Sequence, residues 1–133
     1  MIFLDDIKSY LDQQNIGVQF FVGNLPPQPI NCIALFEYQG LPPQMNATVT
    51  PAMQLLLRVE AANFQAGYEQ LYTSTQALLE IGKQDGELSE GIVINGSLYL
   101  LVYTPNSGFN QLGKDENGNS IISKNFYVVR GGI

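Results

Sequence analysis

The chain is expected to fold as one α+β domain, residues 1–133, in which a mostly antiparallel sheet packs against one long helix, with a short helix at the N-terminus. Three features point there. Residues 53–60 hold the dense apolar run Met53, Leu55, Leu56, Leu57 and Val59, with Arg58 and Glu60 only near its end, the pattern of a central strand covered on both faces. Directly after it, Phe64, Tyr68, Leu71, Tyr72, Thr75, Leu78 and Leu79 fall on one stripe of an α-helix. The C-terminal third is then rich in strand-like runs, and helix, strands, helix, strands in that order describes α+β.

At the N-terminus, Phe3, Leu4, Ile7, Tyr10 and Leu11 sit at helical spacing, with Asp5 and Asp6 in the first turn, where the helix dipole favours negative charge. The helix should close near residues 15–17. Residues 18–22 (VQFFV) read as a strand, and 23–29 (GNLPPQP) as a turn-rich connection. Pro26, Pro27 and Pro29 delay the next strand, 30–38 (INCIALFEY), to about Ile30. Residues 40–51 (GLPPQMNATVTP) have no periodicity and read as a long extended loop, functional or mobile. In the long helix, Asn63 can cap the start and Gly82 can close the end. Its opposite face, Gln65, Glu69, Gln70, Ser74, Gln76 and Glu80, should meet solvent or a polar partner. At 1.5 Å per residue the helix spans about 27 Å, enough to cross a small sheet.

Residues 83–91 (KQDGELSEG) read as an acidic surface loop. Within 92–104, Asn95-Gly96 between two apolar runs is a strong hairpin signal, and 97–104 reads as another central strand. Residues 105–114 read as irregular. Asn117-Gly118 reads as a hairpin or loop tip leading into a last strand, 121–129, in which Ser123 and Lys124 face outward less regularly than a period of two demands. No internal repeat or low-complexity tract is visible.

Only 14% of the 133 residues are charged, and the 11 Asn plus 12 Gln outnumber the 12 acids plus 6 bases. A surface of neutral amides suits a protein packed against neighbours, and equally a soluble amide-rich monomer. A net charge of −6, with Lys8, Arg58, Lys83, Lys114, Lys124 and Arg130 scattered, argues against a phosphate-gripping surface. The single Cys32 excludes an internal disulfide, is compatible with a reducing cytoplasm, and reads as a buried inert thiol. With one Cys and no His, a Cys/His zinc site cannot be built within one chain. No charged-then-apolar leader and no run near eighteen apolar residues is present, so neither export nor membrane spanning is expected, and the N-x-[ST] matches at Asn46 and Asn95 read as chance.

Catalytic, metal and cofactor-binding residues are not expected. No His is available as a base, no nucleophile turn or phosphate loop occurs, and an enzyme would need a carboxylate pair drawn from Glu37, Glu60, Glu69 and Glu80. Asp115, Asn117 and Asn119 have calcium-loop spacing, but Ser120 replaces the sixth-position Gly and Phe126 the twelfth-position Glu. Arg58, the only base in the apolar strand, has two readings: a cross-strand pair with Glu60 or Glu37, or a subunit junction gripping a neighbour's carboxylate. The aromatic stripe Phe64, Tyr68, Tyr72 reads as core more than as a ligand platform.

One constellation spans nearly the whole chain. Gly40-Leu41-Pro42-Pro43 follows a strand, and Pro51, Gln54, Leu57 and Arg58 feed a helix holding Ala66, Tyr68 and Leu78-Leu79. Residues 112–118 (LGKDENG) and then Asn125-Phe126 close it. In that order these pieces resemble the bacteriophage minor capsid protein family of siphophages, whose members look like tail terminators. The resemblance implies a structural virion protein, assembled in the host cytoplasm, that caps the tail tube as a hexameric ring and joins it to the head connector. Its implied partners are further copies of itself, the tail-tube protein and the head-connector protein, with DNA passing through without specific binding and no membrane involved. Interface residues are expected among Arg58, Leu41, Pro42, Pro43 and Phe109, with the loops 40–51 and 105–120 reaching neighbours. Channel-facing acids are expected among Asp85, Glu87, Glu90, Asp115 and Glu116, since a DNA channel should repel phosphate. The alternative is a small-ligand or peptide-binding α+β module using the aromatic helix and Pro-rich loop as a groove.

Overall fold

The computed structural model describes residues 2–38, 52–81, 83–84, 87–88, 91–104 and 108–131. Helix α1 (Ile2–Asp12) buries Leu4, Ile7 and Leu11. Asp5 lies exposed in its first turn, while Asp6, only 3% exposed, turns inward. The chain leaves the helix through Asn15 (φ 54°) and Gly17 (φ 92°), as the sequence suggests, and enters β1 (Gln19–Val22), β2 (Cys32–Tyr38) and β3 (Ala52–Val59). A 3₁₀ turn over Ala61–Asn63 leads into α2 (Phe64–Leu79). After it come β4 (Lys83–Gln84), β5 (Glu87–Leu88), β6 (Ile92–Ile94), β7 (Ser97–Tyr103), β8 (Asn110–Lys114) and β9 (Ser120–Arg130).

The main sheet runs β1-β2-β3-β9-β7-β6, with β8 also paired to β9. Its pairs are antiparallel except β1–β2, which is parallel. Strand β3 is central, as its apolar density requires. It is not equally covered on both faces. Met53, Leu55, Leu57 and Val59 are buried, while Gln54, Leu56 and Arg58 between them are half-buried. Both helices lie against the first face, since Leu4, Ile7 and Leu11 of α1 and Leu71 and Leu78 of α2 share one core with Ile33, Leu35, Leu55 and Phe126. Tyr10 Oη donates to the Ala77 carbonyl at 2.8 Å and joins the two helices. An antiparallel sheet with one helical layer has one face in the core and one outside it.

Helix α2 is turned relative to the expected stripe. Its buried positions are Gly67, Leu71, Ser74, Thr75 and Leu78, whereas Tyr72 is 51% exposed. Ser74, placed by pattern on the polar face, is buried because its hydroxyl donates to the Gln70 carbonyl at 2.7 Å, as Thr75 donates to Leu71 at 2.9 Å. The turn is set by Gly67, whose missing side chain lets α2 approach β3: a Cβ there would stand 2.5 Å from Val59 Cγ2. Asn63 makes no side-chain cap, because the 3₁₀ turn already supplies the entry; Gly82 lies outside the described residues.

Three C-terminal expectations need correction. The segment 83–91 carries a small antiparallel ladder, Lys83 opposite Leu88 and Gln84 opposite Glu87. The segment 105–114 contains strand β8, recruited by β9 despite its weak apolar pattern. Ser123 and Lys124 are 1% and 2% exposed instead of facing outward, since β9 is flanked by β3 on one edge and β7 and β8 on the other. The Asn95-Gly96 hairpin is formed as expected, with φ of 49° and 85° across a two-residue turn.

Candidate functional site

The cross-strand register puts Cys32, Ala34, Leu56, Arg58, Ile121, Ser123, Asn125 and Tyr127 on the helix-free face of the sheet. Arg58 is used there as a clamp. Its Nε donates to the Ile30 carbonyl at 2.9 Å, and its Nη2 donates to the Pro29 carbonyl at 2.9 Å, to the Pro26 carbonyl, and to Cys32 Sγ at 3.7 Å. Prolines 26, 27 and 29 cannot give the ladder an N–H, so the segment is held through its carbonyls, and a guanidinium fork matches several at once. Neither expected carboxylate pairs with Arg58. Glu37 stands opposite Met53 on the other face, and Glu60 instead accepts from Asn31 Nδ2 at 3.3 Å while its own N–H donates to Asn31 Oδ1 at 2.8 Å. Burial pushes the Cys32 thiol up, and the Arg58 charge partly offsets it; this is the buried thiol the sequence indicates.

A cleft of about 330 Å³ beside Arg58 is lined by Pro27, Gln28, Ile30, Glu60, Asp115, Asn117 and Asn119. Arg58 and Asp115, 57 positions apart in sequence, therefore share one end of the fold. Asp115 Oδ1 accepts from the N–H groups of Asn117 and Asn119, both at 2.9 Å, and Oδ2 accepts from Asn119 Nδ2 at 3.2 Å. These bonds, the Asn119 backbone foremost, hold its carboxyl below the ordinary range, with Arg58 adding to the shift. The calcium-like spacing is thus a hairpin tip whose carboxylate serves its own loop. Glu116 is exposed beside it.

Phe109 belongs to the opposite face. Its ring centroid lies 5.2 Å from Tyr68 and 6.5 Å from Tyr72, with Lys124 Nζ 4.9 Å above it. Lys124 Nζ also donates to the Gly108 carbonyl at 2.6 Å, and burial lowers its pKa. Leu41, Pro42, Pro43, Asp85 and Glu90 lie outside the described residues, as does the side chain of Glu87.

Sequence reasoning missed a buried polar junction between α1 and β7. Tyr99 Oη donates to Asp6 Oδ2 at 2.5 Å, and Asn95 Nδ2 donates to Asp6 Oδ1 at 3.1 Å. A signal was present, since Asp6, three after Phe3 and four before Tyr10, lies on the apolar stripe of α1.

Polar side chains spent on backbone carbonyls, neutral amides and a half-apolar sheet face define a structural subunit that works by contact. A family model described as bacteriophage tail terminator protein matches residues 5–130. The chain belongs to that family, and so is a structural protein of the phage tail and not an enzyme. No curated protein matches it in sequence. One similar solved chain, from a structure titled "Virion of native gene transfer agent (GTA) particle", superposes with a TM-score of 0.61 over 93% of this chain and 94% of that one, at 14% identity. At that identity the likeness is one of fold. Among the described residues no helix is long and apolar enough to cross a membrane.

Proposed function

We propose that the chain forms a ring, six copies in the simplest case, that caps the upper end of the tail tube, stops its growth and presents its other side to the head connector. The family match over residues 5–130 carries this reading. Each copy acts as one domain over 1–133 and takes its place in the virion tail after assembly in the host cytoplasm. Its partners are further copies, the tail-tube protein and the head-connector protein, while DNA passes without being gripped. The low, acidic charge supports that last point, because a net −6 repels phosphate. Some of Asp85, Glu87, Glu90, Asp115 and Glu116 face the channel, and the hydrogen bonds from its own loop that hold the Asp115 carboxyl below its ordinary range favour its charged form. Leu41, Pro42 and Pro43 reach a neighbour, and Arg58 and Phe109 support contact surfaces on the two faces of the subunit. The guanidinium of Arg58 acts there through the Pro-rich segment it holds.

The test is tail assembly with and without the protein. Particles lacking it should give tubes of irregular length without heads, and added protein should restore uniform capped tails with a ring visible end-on. Normal tail length and head joining in its absence would refute the proposal.

A further inference from the structure

The two ends of the sheet and its third free edge are treated differently by the sequence. Strand β8 carries an edge bulge between Gln111 and Gly113 and ends on Lys114, devices that keep an edge from pairing with another chain. The terminal strands β1 (QFFV) and β6 (IVI) carry no charge, no proline and no bulge. An unguarded edge is either a hazard or a site of use.

The outer side of β6 is well defined. Ile94 and Ser97 flank the two-residue turn and so form a hydrogen-bonded pair, which makes Val93–Leu98 the next, non-hydrogen-bonded pair. The N–H and C=O of Val93 therefore point away from β7, and its side chain is 67% exposed. At the other end, a groove of about 410 Å³ beside β1 is lined by Leu11, Ile16, Val18 and Phe20.

Taking the ring reading as given, we propose that β6 of one copy pairs with β1 of the next, continuing the sheet from subunit to subunit. The occupant is a second copy of this chain. Both edge strands are neutral, and the one acid lining the groove beside β1, Asp12, is paired with Lys8 at 2.7 Å, so two chains of charge −6 can meet there without an unpaired acid opposing the contact. The strands match in length, three residues against four. The faces match as well. Gln19 and Phe21 share a face with Cys32 and Ala34, the helix-free side, and Val93 with Leu98 lies on that side too, because their neighbours Ile94 and Tyr99 point into the core. A continued sheet sets Val93 beside Gln19 and Phe21, and Ile92 and Ile94 beside the groove. The direction follows from topology. β1 runs with β2, and four antiparallel steps from β2 through β3, β9 and β7 to β6 restore the same sense. Head-to-tail copies related by rotation about an axis along the strands keep that sense, so the junction is parallel.

The test is a cross-link that one chain cannot make with itself, since β1 and β6 end opposite edges of one sheet. In whole protein carrying Gln19→Cys and Val93→Cys, with Cys32 buried, oxidation should give a reducible ladder ending at the ring size, and neither single variant should go beyond a minor dimer. Val93→Lys should leave unfolding of the isolated chain unchanged, because the side chain is exposed, and weaken assembly at least tenfold. Rings by light scattering or on tail tubes with no ladder, or Val93→Cys alone cross-linking as fully as the pair, would overturn the junction and leave the ring. No assembly at any concentration, alone or with tail-tube protein, would overturn both.

Discussion

The phenol of Tyr99 donates a 2.5 Å hydrogen bond to the buried carboxylate of Asp6, 93 residues away in sequence. This bond ties the first helix to the strand on the far side of the sheet's centre. Burial, and then the hydrogen bond to Asp6, hold the Tyr99 phenol well above its ordinary pKa. Tyr99→Phe should cost about 1.5–3 kcal/mol, because the carboxylate loses a buried charge-assisted partner. Asp6→Leu/Tyr99→Phe should recover most of that loss, since it leaves no buried orphan: Asn95, the other donor to Asp6, is exposed to water and also donates to Ser9. Urea unfolding of the three proteins measures it.

Alkaline stability should pass through a maximum. Burial lowers the pKa of Lys124, so as pH rises toward its ordinary value near 10.4 the folded state sheds a proton before the unfolded chain does, and stability climbs. Tyr99 and Tyr10 are raised, Tyr10 by burial and then by Glu80, so above about pH 10 the unfolded chain loses protons that the folded state keeps, and stability falls. Denaturant midpoints from pH 7 to 11 should show both limbs. Lys124→Met should flatten the first and Tyr99→Phe should soften the second.

Arg58 should be irreplaceable by lysine. A single ammonium cannot span the Ile30, Pro29 and Pro26 carbonyls that the guanidinium reaches from one position. Arg58→Lys should lose about 1–2 kcal/mol and Arg58→Ala about 2–3 kcal/mol. Amide exchange at Gln28, Ile30 and Asn31 should accelerate more than that of the central strands.

Gly67 should resist the substitution that helix propensity favours. Alanine is intrinsically better by about 1 kcal/mol, yet its Cβ would meet the buried Val59 side chain at 2.5 Å. Overpacking of about 1–3 kcal/mol wins, so Gly67→Ala should lower the thermal midpoint. Gly67→Ala/Val59→Ala should be less destabilised than the sum of its single changes.

Ser123 is the opposite case, a side chain whose removal should help. Its hydroxyl is buried on the helix-free face and has no hydrogen-bond partner among the described residues. Ser123→Ala should be neutral or stabilising by up to about 1–2 kcal/mol, measured by urea unfolding.

Legibility differed by element. Strand β3, helix α2 and the Asn95-Gly96 turn were readable because each rests on interactions within a few residues: apolar density, a 3.6-residue period, and backbone φ values that Asn and Gly tolerate. The face of α2 was harder to read, since Gly67 contributes nothing to an apolar count and yet sets the close approach to Val59. Strand β8 was missed because its residues, NQLGK, form a ladder only when β9 offers an edge. Of the candidate site residues, Arg58 stands out in the sequence by its isolation among apolar neighbours, but its partners are backbone carbonyls, which look alike in any sequence.

By itself the sequence determined the α+β class, the central strand and long helix, the buried thiol, the excess of amides over charges, and the likeness to tail terminators. The likeness is a resemblance carried by the order of short motifs, and the rest follow from composition, order or local periodicity. Only the tertiary structure decided that the helices share one face, that Asp6 meets Tyr99, that Lys124 is buried under Phe109, and that β1 and β6 end the sheet. Those are pairings between distant residues, chosen by burial and register together, and no local pattern encodes them.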